Sequence, residues 1–127
     1  MSIKAMIVDD SSVMRKIVER SLRQAGIDLA QVVEAGNGSE ALGLLRNQAV
    51  DLILCDINMP VMDGLEFVRQ AGKTLQGKQP PIVMITTEGS ESHVVQALQA
   101  GAKGYIRKPF TADQVKEQVA PLLERAL

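Results

Sequence analysis

Residues 51–56, Asp51-Leu52-Ile53-Leu54-Cys55-Asp56, constrain this chain more than any other stretch. Four apolar residues run unbroken between two acids. Successive side chains on a strand point to opposite faces, so such a run must be covered on both sides. That describes a central strand of a parallel sheet with helices on each face, not a half-solvated antiparallel strand. Asp56 stands where the strand leaves the sheet. The segment Ile57-Asn58-Met59-Pro60-Val61-Met62-Asp63-Gly64 then leads to a helix start. Open α/β sheets gather their chemistry at the carboxyl ends of strands.

The same unit recurs along the chain. Ile3 to Val8 reads as a first strand, ending in Asp9-Asp10. Ser11 or Ser12 caps the next helix, whose one face carries Met14, Ile17, Val18, Ser21, Leu22 and Ala25 before Gly26 closes it. Gln31 to Glu34 is a short second strand. Asn37 with Glu40, and later Asp63 with Glu66, have the spacing of a reciprocal N-terminal cap. They open helices carrying Ala41, Leu42 and Leu45, then Leu65, Val68 and Gly72. A polar loop from Gly77 reaches a fourth strand, Pro81 to Thr86. Ser90 opens a fourth helix through Val94, Ala97 and Leu98, closed by Gly101. Gly104 to Arg107 is the fifth strand, and Thr111 with Gln114 starts a last helix carrying Val115, Val119, Leu122 and Leu123.

Strand followed by helix, five times, with short connections, requires parallel strands and right-handed crossovers. The expected fold is α/β: one domain over residues 1–127, a doubly wound five-stranded parallel sheet, (βα)5, in the flavodoxin-like order 2-1-3-4-5. In that order the first and third strands are neighbours about 4.8 Å apart, so Asp9, Asp10 and Asp56 meet in one crevice.

Composition narrows the function. Net charge is −1 with no basic patch, which argues against nucleic acid. No apolar run approaches the roughly 18 residues of a membrane span, and the N-terminus lacks a signal-peptide layout. The single cysteine, Cys55, suits the cytoplasm and reads as core packing; the single histidine, His93, makes no metal site alone and reads as a helix surface residue.

Three carboxylates in one crevice repel each other unless a cation joins them. A hard divalent ion such as Mg²⁺ takes one or two carboxylates, phosphate oxygens and waters. The Asn58 backbone carbonyl is placed to add another oxygen. The competing reading is that Asp9-Asp10 merely caps the first helix, but one acid suffices for that. Thr86 closes the fourth strand and Lys108 follows the fifth, both facing the same crevice. A hydroxyl donor and an ammonium there would serve a phosphoryl group, although singly Thr86 reads equally as a backbone-bonded hydroxyl and Lys108 as a surface charge. Together the set suffices for phosphoryl transfer to an aspartate, with Asp56 as nucleophile.

Asp9-Asp10, Asp56-x-Asn58-Met59-Pro60-x-Met62-Asp63-Gly64, Thr86 and Gly104-Tyr105-x-x-Lys108-Pro109-Phe110 resemble the receiver domains of two-component response regulators over essentially the whole chain. The likeness is strongest to the stand-alone chemotaxis members. The resemblance implies that Asp56 takes its phosphoryl group from a histidine kinase. It implies Mg²⁺ on Asp9, Asp10, Asp56 and the Asn58 carbonyl, phosphoryl contacts from Thr86 and Lys108, and a cis Lys108-Pro109 bond. It implies a switch in which Thr86 shifts and Tyr105 turns inward, reshaping the face of helix four, strand five and helix five. The protein would catalyse only its own phosphorylation and hydrolysis, tuned by Asn58, Thr87 and Glu88 around the site. Thr87 stands where the family usually has a smaller residue. With no effector domain, output would be contact by a cytoplasmic monomer with a protein such as a flagellar motor switch protein, with a phosphatase as a further partner. A phosphorelay intermediate or phosphate sink is the alternative.

Three rivals share parts of this pattern. A flavin carrier of the same fold needs a phosphate cradle after strand one and aromatic walls, where this chain has Asp-Asp-Ser-Ser and only Phe67, Tyr105 and Phe110. A phosphatase of the haloacid dehalogenase type wants an acid two residues after its nucleophile, where Asn58 stands. A scaffold independent of phosphorylation has no use for the acid, threonine and lysine set.

Overall fold

The computed structural model describes residues 2–76, 78–87 and 91–125. Gly77, Glu88 and Ser90, each named above, lie outside the described residues. Five strands and five helices alternate: β1 (Ile3–Val8), α1 (Ser12–Gln24), β2 (Leu29–Ala35), α2 (Gly38–Leu45), β3 (Leu52–Asp56), α3 (Gly64–Thr74), β4 (Ile82–Thr86), α4 (Glu91–Ala100), β5 (Gly104–Arg107) and α5 (Ala112–Arg125). The strands form one sheet in the order β2-β1-β3-β4-β5, every neighbouring pair parallel.

Burial explains the missing alternation in β3. Ile53 and Cys55 join Met6, Val8, Ile82 and Met84 on one face, under Leu42, Phe67, Val68 and Ala97. Leu52 and Leu54 join Ala5, Ile7, Val83 and Ile85 on the other, under Val18, Leu22, Val115 and Val119. Every residue of β3 is buried. The edge strand β5 does alternate, with Gly104 and Ile106 inward and Tyr105 and Arg107 outward. His93 is exposed on α4.

Some details differ from the sequence expectation. β2 is longer, because pairing with β1 continues to Ala35. Asp51 is not part of β3: its carboxylate accepts the Lys4 N–H at 2.9 Å while its own N–H donates to the Lys4 carbonyl at 2.7 Å, closing the start of the ladder by side chain. Pro81 likewise precedes β4, and its carbonyl receives the Ile53 N–H. Ile17 is 41% exposed, since the packed stripe of α1 runs through Val18 and Leu22. Ala71 rather than Gly72 completes the buried face of α3. Ala25 is the C-cap of α1, and Gly26 follows it at φ +87°, a left-handed conformation that suits glycine.

Candidate functional site

Sheet register brings the acids together. Val8 pairs with Cys55. One residue on, Asp9 therefore leaves β1 beside Asp56 at the end of β3. Asp9 is still tied to β2 through its N–H, which donates to the Ala35 carbonyl at 3.0 Å. Its Oδ1 accepts the Ser11 N–H at 2.9 Å, and the Ser11 hydroxyl accepts the Met14 N–H at 3.2 Å. Ser11 is thus the cap of α1, and neither aspartate is spent on that task. Asp9 Oδ2 is buried and accepts no hydrogen bond. Asp10 is exposed at the crevice mouth.

One carboxylate oxygen from each of Asp9, Asp10 and Asp56 lies within 4.8 Å of the others. All three donors are hard oxygens, and Asp9 Oδ2, buried without a hydrogen bond, is the kind of acceptor that a cation satisfies. The set fits a divalent ion of the Mg²⁺ class. Lys108 enters from the end of β5. Its Nζ lies 3.5 Å from Asp9 Oδ2 and 3.8 Å from Asp56 Oδ2. It is therefore an ion-paired group in the crevice, with its side chain only 20% exposed, not a solvated surface charge. The Lys108 N–H donates to the Thr86 carbonyl at 2.7 Å, and the Lys108-Pro109 bond is cis.

Electrostatics act on Asp56 from both directions. Burial pushes its carboxyl above the ordinary value and Asp9 adds to that; Lys108 and the Asn58 and Ile57 amides pull it down. Next to it, burial and then the neighbouring acids push the Cys55 thiol well up, so Cys55 is a neutral core group.

The loop after Asp56 is closed tightly. The Gly64 N–H donates to the Ile57 carbonyl at 2.8 Å, and Asp63 Oδ1 caps α3 through the Glu66 N–H at 2.9 Å. The Met62 N–H donates to the Pro60 carbonyl at 2.7 Å with Val61 between them at φ +68°. This is a γ-turn of the rare, strained hand, and the β-branched residue at its centre is 85% exposed. Val61→Gly is therefore expected to stabilise the fold by about 1 kcal/mol, because glycine has no Cβ to clash at positive φ. An upward shift in the urea midpoint checks it; an unchanged or lower midpoint counts against strain at Val61. Asn58 is exposed beside this loop.

Thr86, at the end of β4, is 3% exposed, and its hydroxyl donates to the Thr87 carbonyl at 3.1 Å. In this conformation the backbone-bonded reading of that hydroxyl holds. Thr86 also lines a cavity of about 250 Å³ together with Val94, Val95, Leu98, Tyr105 and Arg107. Tyr105 covers it from β5 and is 45% exposed. Thr87 is exposed, and Glu88 lies outside the described residues. The cavity wall from α4 joins Leu98, expected on the packed stripe but 39% exposed, to Val95, which the helix pattern above leaves out. Its signal is Val95 and Leu98, an apolar pair three residues apart beside the core pair Val94 and Ala97.

Among the described residues, no helix is long and apolar enough to cross a membrane. A profile of the response regulator receiver domain matches residues 5–120. The chain is 43% identical over 121 residues to a chemotaxis protein CheY homolog of Campylobacter jejuni, covering 94% of this chain and 92% of that protein. It is 38% identical over 122 residues to the chemotaxis protein CheY of Pseudomonas aeruginosa, covering 96% and 97%. The structure of the chemotaxis response regulator CheY4 of Vibrio cholerae superposes with a TM-score of 0.81 at 36% identity, over 97% of this chain and 100% of that one. The fold, the motif-bearing strand ends and these relatives agree: the chain belongs to the response regulator receiver domain family, a family of signalling proteins.

Proposed function

We propose that this protein is a single-domain chemotaxis response regulator that accepts a phosphoryl group on Asp56 from the phosphohistidine of a histidine kinase. The observation that carries the reading is the crevice itself: three convergent carboxylates, one with a buried oxygen that accepts no hydrogen bond, and a lysine ion-paired with two of them. Asp9, Asp10, Asp56 and the Asn58 carbonyl would hold Mg²⁺. Bound there, the ion supplies positive charge to offset the carboxylates and the oxygens of the transferring group.

The remaining chemistry belongs to the side chains. An Asp56 carboxylate oxygen attacks phosphorus. As the O–P bond forms, the P–N bond to the donor imidazole breaks, and the imidazole nitrogen keeps the electron pair and takes a proton from water. Lys108 transfers its pairing from the carboxylates to a phosphoryl oxygen, a charge-assisted bond that needs little movement from its present position. The Thr86 hydroxyl exchanges the Thr87 carbonyl for a second phosphoryl oxygen. Hydrolysis reverses the state, and Asn58, Thr87 and Glu88 are the residues assigned to tune its rate.

Thr86 connects this event to the surface in this reading, because its carbonyl holds the Lys108 N–H and its side chain lines the cavity. When Thr86 turns toward the phosphoryl group, Tyr105 moves into the space between α4 and β5. The phosphoryl group favours the conformer in which Thr86 can reach it, and the population shifts accordingly. The face of α4, β5 and α5 is then the output surface. Relatives named as chemotaxis proteins favour a flagellar motor switch protein as its partner. Kinase contact, a phosphatase, a cytoplasmic monomer and one domain over residues 1–127 complete the reading.

Thr86→Ala tests the division of labour. Mg²⁺ affinity is expected to stay within about twofold of wild type, since Thr86 is not among the ion's donors. Phosphorylation-dependent capture of a motor switch fragment is expected to fall about tenfold or more. A large loss of Mg²⁺ affinity in a calorimetric titration, or capture that survives intact, contradicts the role given to Thr86.

A further inference from the structure

We infer that Arg15 is a positioning residue for the cation site, a role that rests on the Mg²⁺ reading above. Arg15 lies in the first turns of α1 and reaches back over the β1–α1 loop. Its Nη1 donates to the backbone carbonyl of Asp9 at 2.7 Å. Its Nε donates to Glu34 Oε1, from β2, at 2.9 Å. The guanidinium side chain is only 19% exposed.

The Asp9 backbone needs such a donor. Asp9 is 1% exposed, and its N–H still follows the sheet by bonding to Ala35. Its carbonyl sits where the chain turns away from β1. A buried carbonyl at a strand exit must find a partner, and Arg15 provides one. This fixes the peptide between Asp9 and Asp10, the two residues whose carboxylates must face Asp56. On the other side of Asp9, the Ser11 N–H holds Oδ1. Asp9 is therefore gripped at N–H, carbonyl and Oδ1, while Oδ2 has no hydrogen bond and faces only the Lys108 ammonium at 3.5 Å, so it is the oxygen that can turn to the ion.

Glu34 serves the same purpose one step further out. It receives Arg15 through one oxygen and Lys16, at 3.1 Å, through the other. These two bonds hold its carboxyl below the ordinary range, Arg15 contributing most. The planar guanidinium fork suits a residue that must reach two fixed acceptors in different directions, which a lysine does not match.

Charge and geometry make opposite demands, and that separates them experimentally. A guanidinium beside a cation site repels the cation, so charge removal alone would tighten Mg²⁺ binding. Loss of the grip on Asp9 would weaken it. We expect Arg15→Met to bind Mg²⁺ about three- to tenfold more weakly than wild type in calorimetric titration at fixed ionic strength. Without metal, the amide resonances of Asp9, Asp10 and Ser11 should shift while those of α3 stay in place. Glu34→Gln, which keeps an acceptor for Nε, should bind within about twofold of wild type, whereas Glu34→Ala should lose about threefold. Mg²⁺ binding by Arg15→Met as tight as wild type, or tighter, overturns the inference. If Arg15→Met does not fold, equal affinities for Glu34→Gln and Glu34→Ala overturn it. Wild-type protein that binds no Mg²⁺ at all overturns the phosphoacceptor reading and this inference with it. Normal wild-type binding with indifferent variants overturns this inference alone.

Discussion

Gly64→Ala is expected to lose about 3 kcal/mol of stability and about a hundredfold in phosphoryl uptake together. The cause is close approach and not backbone conformation, because the residue opens α3 without a positive φ. A methyl group at Gly64 would overlap the backbone carbonyl oxygen of Asp56 and come within 2.9 Å of Ile57 Cα and of Met84 Cε. Met84 can swing aside; the backbone of Asp56 cannot without moving the carboxylate. The chain must therefore break the 2.8 Å bond from Gly64 to Ile57 or displace the Asp56 carboxylate. The thermal midpoint should fall by about 10 °C for a domain of this size. Uptake from a small phosphodonor should fall more than the lost folded fraction explains. A variant that melts normally, or that labels at the wild-type rate, refutes this account of Gly64.

Lys108→Ala is expected to destabilise the metal-free protein by about 1–3 kcal/mol at neutral pH, and by progressively less as pH falls. Lys108 is the main influence holding the Asp56 carboxyl down against burial. Without it, that carboxyl rises further above its unfolded value. A group whose folded pKa is raised binds more protons when folded, so stability falls as pH rises through the window between the unfolded and folded values. The deficit is complete above the folded pKa and absent below the unfolded one. Adding Mg²⁺ should restore most of the loss, because the ion replaces the missing positive charge beside Asp9 and Asp56. Some phosphoryl uptake should remain while signalling fails. Chemical denaturation across the acidic range, with and without Mg²⁺, checks this. A deficit that ignores both pH and Mg²⁺ would place the role of Lys108 in packing.

The strand order and the crevice were legible in the sequence for one reason. Unbroken apolar runs such as Leu52 to Cys55 demand covered faces, and the strand–helix alternation leaves few ways to supply them. Once β1 and β3 are neighbours, Asp9 and Asp56 meet without further information. The caps at Asn37 and Asp63 were equally readable, since each is a local pattern three residues long. Features that depend on direction were not. Ile17 looks like a core residue by spacing, yet the helix turns it to solvent. Val61 carries no sign that the loop forces it to positive φ. The partnership of Arg15, Asp9 and Glu34 joins three elements distant in sequence, and no spacing announces it. The present bond from Thr86 to Thr87 is one rotamer among several that a threonine at a strand end could adopt.

The most direct test of the central claim is labelling by a small phosphodonor, read by intact mass and by peptide mapping. The wild-type protein should acquire one phosphoryl group in the presence of Mg²⁺, stable in acid and labile in base, on the peptide containing Asp56. Chelation of the metal or Asp56→Asn should reduce that labelling at least about a hundredfold. Undiminished labelling in Asp56→Asn, or labelling indifferent to Mg²⁺, would show that the acids at the tips of β1 and β3 do not form a phosphoryl-accepting site.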